Sequence, residues 1–523
     1  MRMYLVIYSL AIFLFSDLIF KINCSEILLL FPAPFRSHYY ALLPIIRALA
    51  DKGHKITSHS ALEFGPHPNI NETLIENKLD ADLKRRELTT VGTLTKLLME
   101  LHDMGYASAL NFLNTPQFKE LLETDQKYDA TIAVTLTIQE YLVALQHKFN
   151  TINIEIVPHA NSPSVHHFTG TPFNPTYFVD VKLPYTDRMS FWQRLHNTFN
   201  YLVTILLSYM VNIRRMQSLA DQYIRYPGWE KRPALDQLMS NRSLVLINGH
   251  HSLNYPYPSP PHVIDIAGVS IREIQPLPKD FKTFINGWPN GIVMLSWGSV
   301  VSGSITDNEN MVKILLTAFS RLKYGVIWKT NTSTYSYPVP ENVMMVKWLP
   351  QQEILADKRT KVFITHCGFN SMVETVYYGV PVVVTPFFLD QSKNARKLVD
   401  IGMGVQLTAD NLTTDAFIWA INEVANNKRY KEAAVKQSAM FRDRPFKPVD
   451  EAVYWIEYVM KHGDVLQPAS IHIPLYRLLW LDIIAFSIII LLILFYLFKT
   501  ILSITYNKLS ATIHRHLINK KNN

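Results

Sequence analysis

Apolar residues along this chain come in short runs and in helical spacing, and the alternation of the two sets the expected fold. Glu26 to Phe31 is a short apolar run stopped by Pro32, as in a strand buried on both faces. Tyr39 to Asp51 carries apolar residues at helical spacing and stops at Lys52-Gly53, and Lys55 to Ser58 resumes as a strand. Strand, helix and strand in that order predict a parallel βαβ opening. Ala130 to Val134 and Thr151 to Ile156 read as later strands with a helix between them. Pro276, Leu277 and Pro278 mark a linker, and a second alternation follows. Its strands are expected at Ile292 to Leu295, Gly325 to Trp328, Val362 to Thr365 and Pro381 to Thr385, with helices between them and from Asn394 to Ile401. Val449 to His462 is a last amphipathic helix. The pattern predicts an α/β chain of two doubly wound halves, with no sequence repeat.

Two further apolar runs have a different character. Met3 to Phe15 follows Arg2 and precedes the small residues Cys24 and Ser25, so residues 1–24 read as a secretory signal. An uncleaved anchor is the other reading. Leu478 to Phe498 rises about 31 Å as a helix, which matches a hydrocarbon core of about 30 Å. Asp482 lies near its end, within reach of the headgroups. The tail 499–523 carries Lys499, Lys508, Arg515, Lys520 and Lys521 and no acid, which puts it in the cytoplasm and the preceding residues in the lumen. Lys520 and Lys521 resemble the dilysine retrieval signal of type I endoplasmic reticulum proteins. The expected organisation is therefore a signal at 1–24, α/β domains at 25–277 and 278–470, a transmembrane helix at 478–498 and a tail at 499–523.

Composition refines this picture. Charged residues are 18% of the chain, below a soluble norm of about 25%, as a membrane segment requires. Much of the net charge of +8 sits in the tail, and no basic stripe interleaves with aromatics, so no nucleic-acid partner is read. The two cysteines, Cys24 and Cys367, exclude a disulfide framework. Sequons begin at Asn71, Asn241, Asn331 and Asn411 and agree with a lumenal chain.

The densest chemical signal runs Phe363-Ile364-Thr365-His366-Cys367-Gly368-Phe369-Asn370-Ser371-Met372-Val373-Glu374 and resumes from Pro381 to Asp390-Gln391. A buried strand ends at Thr365, Gly368 opens the turn, and a helix begins with free N–H groups, which is an anion site. His366, Asn370 and Ser371 add donors at that end, and Glu374, one turn on, can take a ribose hydroxyl. Asp390 and Gln391 can bind sugar hydroxyls. Upstream, Trp348-Leu349-Pro350-Gln351 resembles the uracil pocket of the UDP-glycosyltransferase family, where an indole face can stack on the ring and an amide can pair with its edge, the alternative being a core tryptophan. Ser296-Trp297-Gly298-Ser299 follows another strand and resembles the second diphosphate loop of the UDP-glycosyltransferase family, which implies Ser299 and its backbone as donors.

These motifs resemble the UDP-glycosyltransferase family, and the resemblance runs from about Glu26 to the tail, including Leu183-Pro184-Tyr185-Thr186-Asp187. It implies two Rossmann-like domains facing across a cleft (the GT-B arrangement) plus one C-terminal transmembrane helix. It implies a UDP-sugar donor, a small lipophilic acceptor and no metal or other cofactor. The likeness to invertebrate members implies UDP-glucose, where vertebrate liver enzymes prefer UDP-glucuronate. Ser37-His38 falls where the family carries its catalytic base. A neutral His38 there takes the acceptor hydroxyl proton during an inverting displacement, and UDP leaves against the helix end and His366. A loop histidine with no role is the other reading. In the family an Asp orients that histidine. Counted from Tyr128-Asp129, its position here is Val134, which can neither accept a hydrogen bond nor carry charge. Thr135, Thr137 or a water then has to hold the ring.

Phe191 to Ile213, uncharged from Asn197 to Asn212, reads as a helix over the acceptor cleft that dips into the lumenal leaflet, or as an ordinary buried helix. Val134 also motivates a rival reading, a UDP-sugar-binding protein with weak or no catalysis. A nicotinamide oxidoreductase shares the fold layers, but Gly402-x-Gly404 lacks the fingerprint. Asp80-Ala81-Asp82 has metal-pair spacing but no strand before it, and His166-His167 and His250-His251 lack zinc spacing. A homo- or hetero-oligomer is left open.

Overall fold

Strands that are apolar on both faces must lie in a sheet covered on both sides, and the computed structural model contains two such sheets. It describes residues 24–76, 94–136, 138–171, 174–298, 308–330 and 337–521. The expected signal before Cys24, Asp80-Ala81-Asp82, Thr137, Ser299 and the Asn331 sequon lie outside the described residues. The first sheet holds β1 (Glu26–Phe31), β2 (Lys55–Ser60), β3 (Ile70–Leu74), β4 (Ala130–Ala133), β5 (Ile152–Val157), β6 (Leu244–Ile247) and β7 (Val263–Asp265), in the order β3-β2-β1-β4-β5-β6-β7. The second holds β8 (Ile292–Ser296), β9 (Gly325–Lys329), β10 (Val343–Val346), β11 (Thr360–Thr365), β12 (Val382–Val384) and β13 (Gly404–Gln406), in the order β10-β9-β8-β11-β12-β13. Every pairing among these strands is parallel. In each sheet the winding reverses beside its first strand, between β1 and β4 and between β8 and β11. Open α/β sheets bind ligands beyond the carboxyl ends of strands at such a point. Gly404 starts β13, so the Gly402-x-Gly404 pair serves a turn and a strand.

Packing explains the boundaries. Ile27, Leu28, Leu29 and Leu30 have no exposed surface, and each such side chain contributes roughly 1.5–3 kcal/mol on burial. The helix after β1 runs Arg36–Asp51 and buries Ala41, Leu42, Ile45, Ile46, Leu49 and Ala50 at helical spacing. It begins three residues before the apolar pattern does, so His38 stands in its first turn and not in a loop. Pro44 inside it removes the N–H that would bond the Tyr40 carbonyl. The last helix, Pro448–His462, returns to the first sheet. Its Ala452, Val453, Ile456 and Val459 share a core with Ile27, Leu29 and Ile45, and Glu457 pairs with Lys52 at 2.8 Å.

The expected helix over 191–213 is observed as Phe191–Leu207, a π-helical stretch Ser208–Ile213 and a continuation Arg214–Tyr223. Ser190 starts it with a capping box to Gln193. Its polarity is inverted. Asn197, Asn200, Thr204, Ser208 and Asn212 face inward, and Trp192, Leu195, Phe199, Leu202, Leu206 and Met210 face out. Among the inward polar groups, Asn197 accepts from the Asp180 N–H at 2.8 Å and donates to the Phe178 carbonyl, and Asn212 donates to Glu140. The ordinary buried helix is thereby excluded.

The chain forms two compact units, one ending at Pro468 and one spanning Ala469–Asn523. In the second, a helix runs Leu481–Lys521 and is long and apolar enough to cross a membrane. It starts three residues after the expected Leu478, because Trp480 takes a left-handed backbone (φ 57°) that ends the preceding turn. It continues without a break through the basic residues Lys499 to Lys521.

Candidate functional site

The second sheet's switch point brings together two turns. Gly298, with φ +73°, follows β8, and His366, Cys367 and Gly368 follow β11. Both glycines are needed against the His366 ring. A Cβ on Gly298 would lie 2.8 Å from its Cε1, and a Cβ on Gly368 would lie 2.5 Å from its Nε2. The helix Phe369–Tyr378 then starts at Gly368 with no side-chain cap, which leaves its first N–H groups facing the cleft. Gly368→Ala keeps an allowed backbone (φ −59°) but pushes the imidazole aside. It is expected to weaken UDP binding about tenfold with little loss of melting temperature, read by titration calorimetry and a thermal melt. Unchanged affinity would contradict this packing.

His366 is a donor at this end but not its cation. Burial, and then the charge of Lys329, hold the His366 imidazole down to about 4, so near neutral pH it offers an N–H without net charge. The cation here is Lys329, the last residue of β9, which the motifs did not single out. It is 9% exposed, its Nζ donates to the Gly298 carbonyl at 3.2 Å, and it lies 4.8 Å from the centroid of the Trp348 ring. No carboxylate pairs with it among the described residues. Burial, then Arg36, lowers its pKa. The signal was available: a lysine directly after a buried parallel strand stands where such sheets bind ligands.

The other predicted donor residues sit in one network. Trp348 is 59% exposed, an open platform and not a core residue. The Gln351 amide donates to Ser371 Oγ at 3.1 Å and to Glu374, whose carboxylate also receives Gln352 Nε2 at 3.0 Å. Burial raises the Glu374 pKa against these bonds. Gln391 accepts the Phe387 N–H at 2.9 Å and so braces its own loop. Asp390 accepts from Asn394 Nδ2 at 2.7 Å, and Asn394 also donates to the Cys367 carbonyl, which ties the β12 loop to the β11 loop. Asn370 is not a free donor: its amide donates to the Ser37 carbonyl at 2.8 Å, and its oxygen accepts from Asn248 at 2.9 Å. It stitches the two halves together, directly beside His38.

His38 lies beyond β1, with its ring 5.0 Å from Phe35 and 6.4 Å from His159 between centroids. Burial, then His159, hold it down to about 3, so it is neutral near pH 7. Its Nδ1 is buried without a partner among the described residues. Val134 follows β4 and is 3% exposed, packed in the core with Leu29, Ala41 and Ile45. Thr135 does not hold the imidazole. Its hydroxyl donates to Glu155 at 2.7 Å and accepts from Arg242 at 2.7 Å. The paired histidines are structural: His166 packs on Phe178 at 3.9 Å, and His250 bonds Ser252 Oγ at 2.8 Å.

The family model for UDP-glucuronosyl and UDP-glucosyl transferases matches residues 26–516. UDP-glucosyltransferase 2 of Dactylopius coccus is 30% identical over 487 residues, covering 91% of this chain and 92% of that protein. UDP-glucuronosyltransferase 1A1 of Mus musculus is 30% identical over 502 residues, covering 90% of each. The crystal structure of the kitacinnamycin glycosyltransferase superposes with a TM-score of 0.56 at 18% identity, over 83% of this chain and 98% of that one, and shares the GT-B fold.

Proposed function

This chain belongs to the UDP-glucuronosyl and UDP-glucosyl transferase family and is a UDP-glycosyltransferase, and from that premise we propose that it moves glucose from UDP-glucose to a hydroxyl of a small lipophilic acceptor, with inversion and with His38 as general base. The observation that carries this is the Asn370–Ser37 bond of 2.8 Å, which sets the His38 turn against the helix start that would hold the diphosphate. A neutral imidazole there takes the acceptor proton as the oxygen attacks the anomeric carbon. UDP leaves with the electron pair towards the free helix N–H groups, His366 and Lys329. Trp348 would stack on the uracil, Glu374 would bond the ribose, and Gln351 and Ser371 would orient it. Asp390 and Gln391 would meet the sugar, and Ser299 the diphosphate. The chemistry needs no metal. The binding-only reading finds no support in the relatives, which are named as transferases.

The membrane reading is a type I protein of the endoplasmic reticulum with both sheets in the lumen. The apolar helix Leu481–Lys521 supports an anchor, and the outward stripe Trp192 to Met210 supports contact with the leaflet. One experiment covers donor, stereochemistry and side. Sealed microsomes carrying the chain receive UDP-glucose or UDP-glucuronate with a panel of phenols and sterols. The expected product is a β-glucoside from the α-linked donor, at a rate that rises several-fold when the vesicles are opened. An α-glycoside, a glucuronide, or full activity in sealed vesicles would each contradict the corresponding part.

A further inference from the structure

We propose that His159 is the positioning residue for His38, holding the base as a neutral hydrogen-bond acceptor in place of the carboxylate that Val134 cannot supply. The inference rests on His38 being the base. The need for such a residue follows from the site. An imidazolium forming on His38 in a buried position has to meet an opposite or polarisable charge, or the proton transfer is uphill. Val134 is turned into the core. Glu155, opposite Ala133 on the neighbouring strand, is committed to the Thr135 and Leu136 N–H groups at 2.8 Å each and to Arg242.

His159 is placed for this work by topology. The sheet order runs β1, β4, β5. His38 follows β1, Val134 follows β4 and His159 follows β5, so the two imidazoles flank the position where the carboxylate is missing. Their centroids are 6.4 Å apart and the planes are tilted by 55°. That separation suits one bridging water or hydroxyl. The His159 tautomer is fixed, because its Nδ1 lies 2.8 Å from the Ala160 carbonyl and must carry hydrogen, which leaves Nε2 as an acceptor. The loop is anchored by Asn248, which donates to the Pro158 carbonyl and to Asn370, each at 2.9 Å. Burial lowers the His159 pKa despite the Ala160 carbonyl and the charge of Asp390, so the ring is a neutral acceptor near pH 7.

In the reaction the acceptor O–H bond breaks and its proton goes to His38. The acceptor oxygen bonds the anomeric carbon as the bond from that carbon to UDP breaks, and UDP takes the electron pair. His38 donates through its other nitrogen, by way of the bridging water or hydroxyl, to His159 Nε2, which orients the imidazolium and offsets part of its burial cost.

The test uses the full chain in microsomes, with UDP-glucose and the same phenol and sterol panel. His159→Ala is expected to lower kcat about 100-fold, with the UDP-glucose KM within about threefold and UDP-induced thermal stabilisation intact. Val134→Asp is expected to restore at least tenfold of the rate in the His159→Ala chain and to change the wild-type rate little. Val134→Asn, matched in size but uncharged, is expected not to restore it. An undiminished kcat in His159→Ala overturns the inference, as does the same fold-gain from Val134→Asp in both backgrounds. Wild-type turnover that does not depend on His38 overturns the base reading and the inference with it.

Discussion

Replacing Lys329 by methionine is expected to weaken UDP binding 30- to 150-fold while uridine binding stays within about twofold. Lys329 is a buried ammonium with no carboxylate partner among the described residues. It faces the Gly298 carbonyl, the Trp348 ring and a second cation, Arg36. A desolvated cation in such company is costly until an anion arrives. A charge-assisted bond to phosphate contributes about 2–3 kcal/mol, which converts to the stated range. Uridine carries the ring and ribose but no diphosphate, so it isolates the charge from the Trp348 platform. Lys329→Arg is expected to retain most of the affinity. Equilibrium binding to the solubilised full chain decides this. An equal loss for UDP and uridine would make Lys329 a packing residue, and no loss for either would remove it from the diphosphate site.

What was legible in the sequence follows from burial. β1, β8, β11 and β12 announce themselves because apolar side chains cover both faces, and the His366 to Gln391 motif was legible because its spacing is continuous along the chain. The strand β3 was not, since Ile70–Leu74 is half exposed and mixes Asn71, Glu72 and Thr73 with its apolar residues. The strands β7 and β13 each bury only their first residue, so neither shows an apolar run. The start of the helix at Arg36 was hidden because Arg36, Ser37 and His38 carry no apolar stripe. The composition of 191–213 was legible but its orientation was not: polar residues inside and apolar ones outside is a reversal that only partners such as Asp180 and Glu140 reveal. The return of Pro448–His462 to the first sheet was equally invisible. The departure at Val134 could be read, but not its surroundings, because Glu155 and His159 come there from the neighbouring strand β5, which only the sheet order reveals.

The second large effect concerns His38. His38→Ala is expected to lower glycoside formation by about 10³-fold while UDP binding is unchanged, because the base contributes only when the acceptor proton moves. A general base contributes roughly 10²–10⁴, and the buried, neutral imidazole of this site falls within that range. His38→Gln fills similar space and keeps a hydrogen-bonding group, yet cannot accept the proton at neutral pH, so it is expected to fall as far. A loss confined to UDP affinity would instead assign His38 to the stitching between Ser37 and Asn370.

The most direct measurement of the central claim is UDP release from UDP-glucose by microsomes carrying the chain, across phenol and sterol acceptors, against His38→Ala microsomes. Acceptor-dependent release that disappears in the variant is the predicted result, and it would establish transfer through His38 without the usual Asp. Acceptor-dependent release that persists in His38→Ala would contradict it.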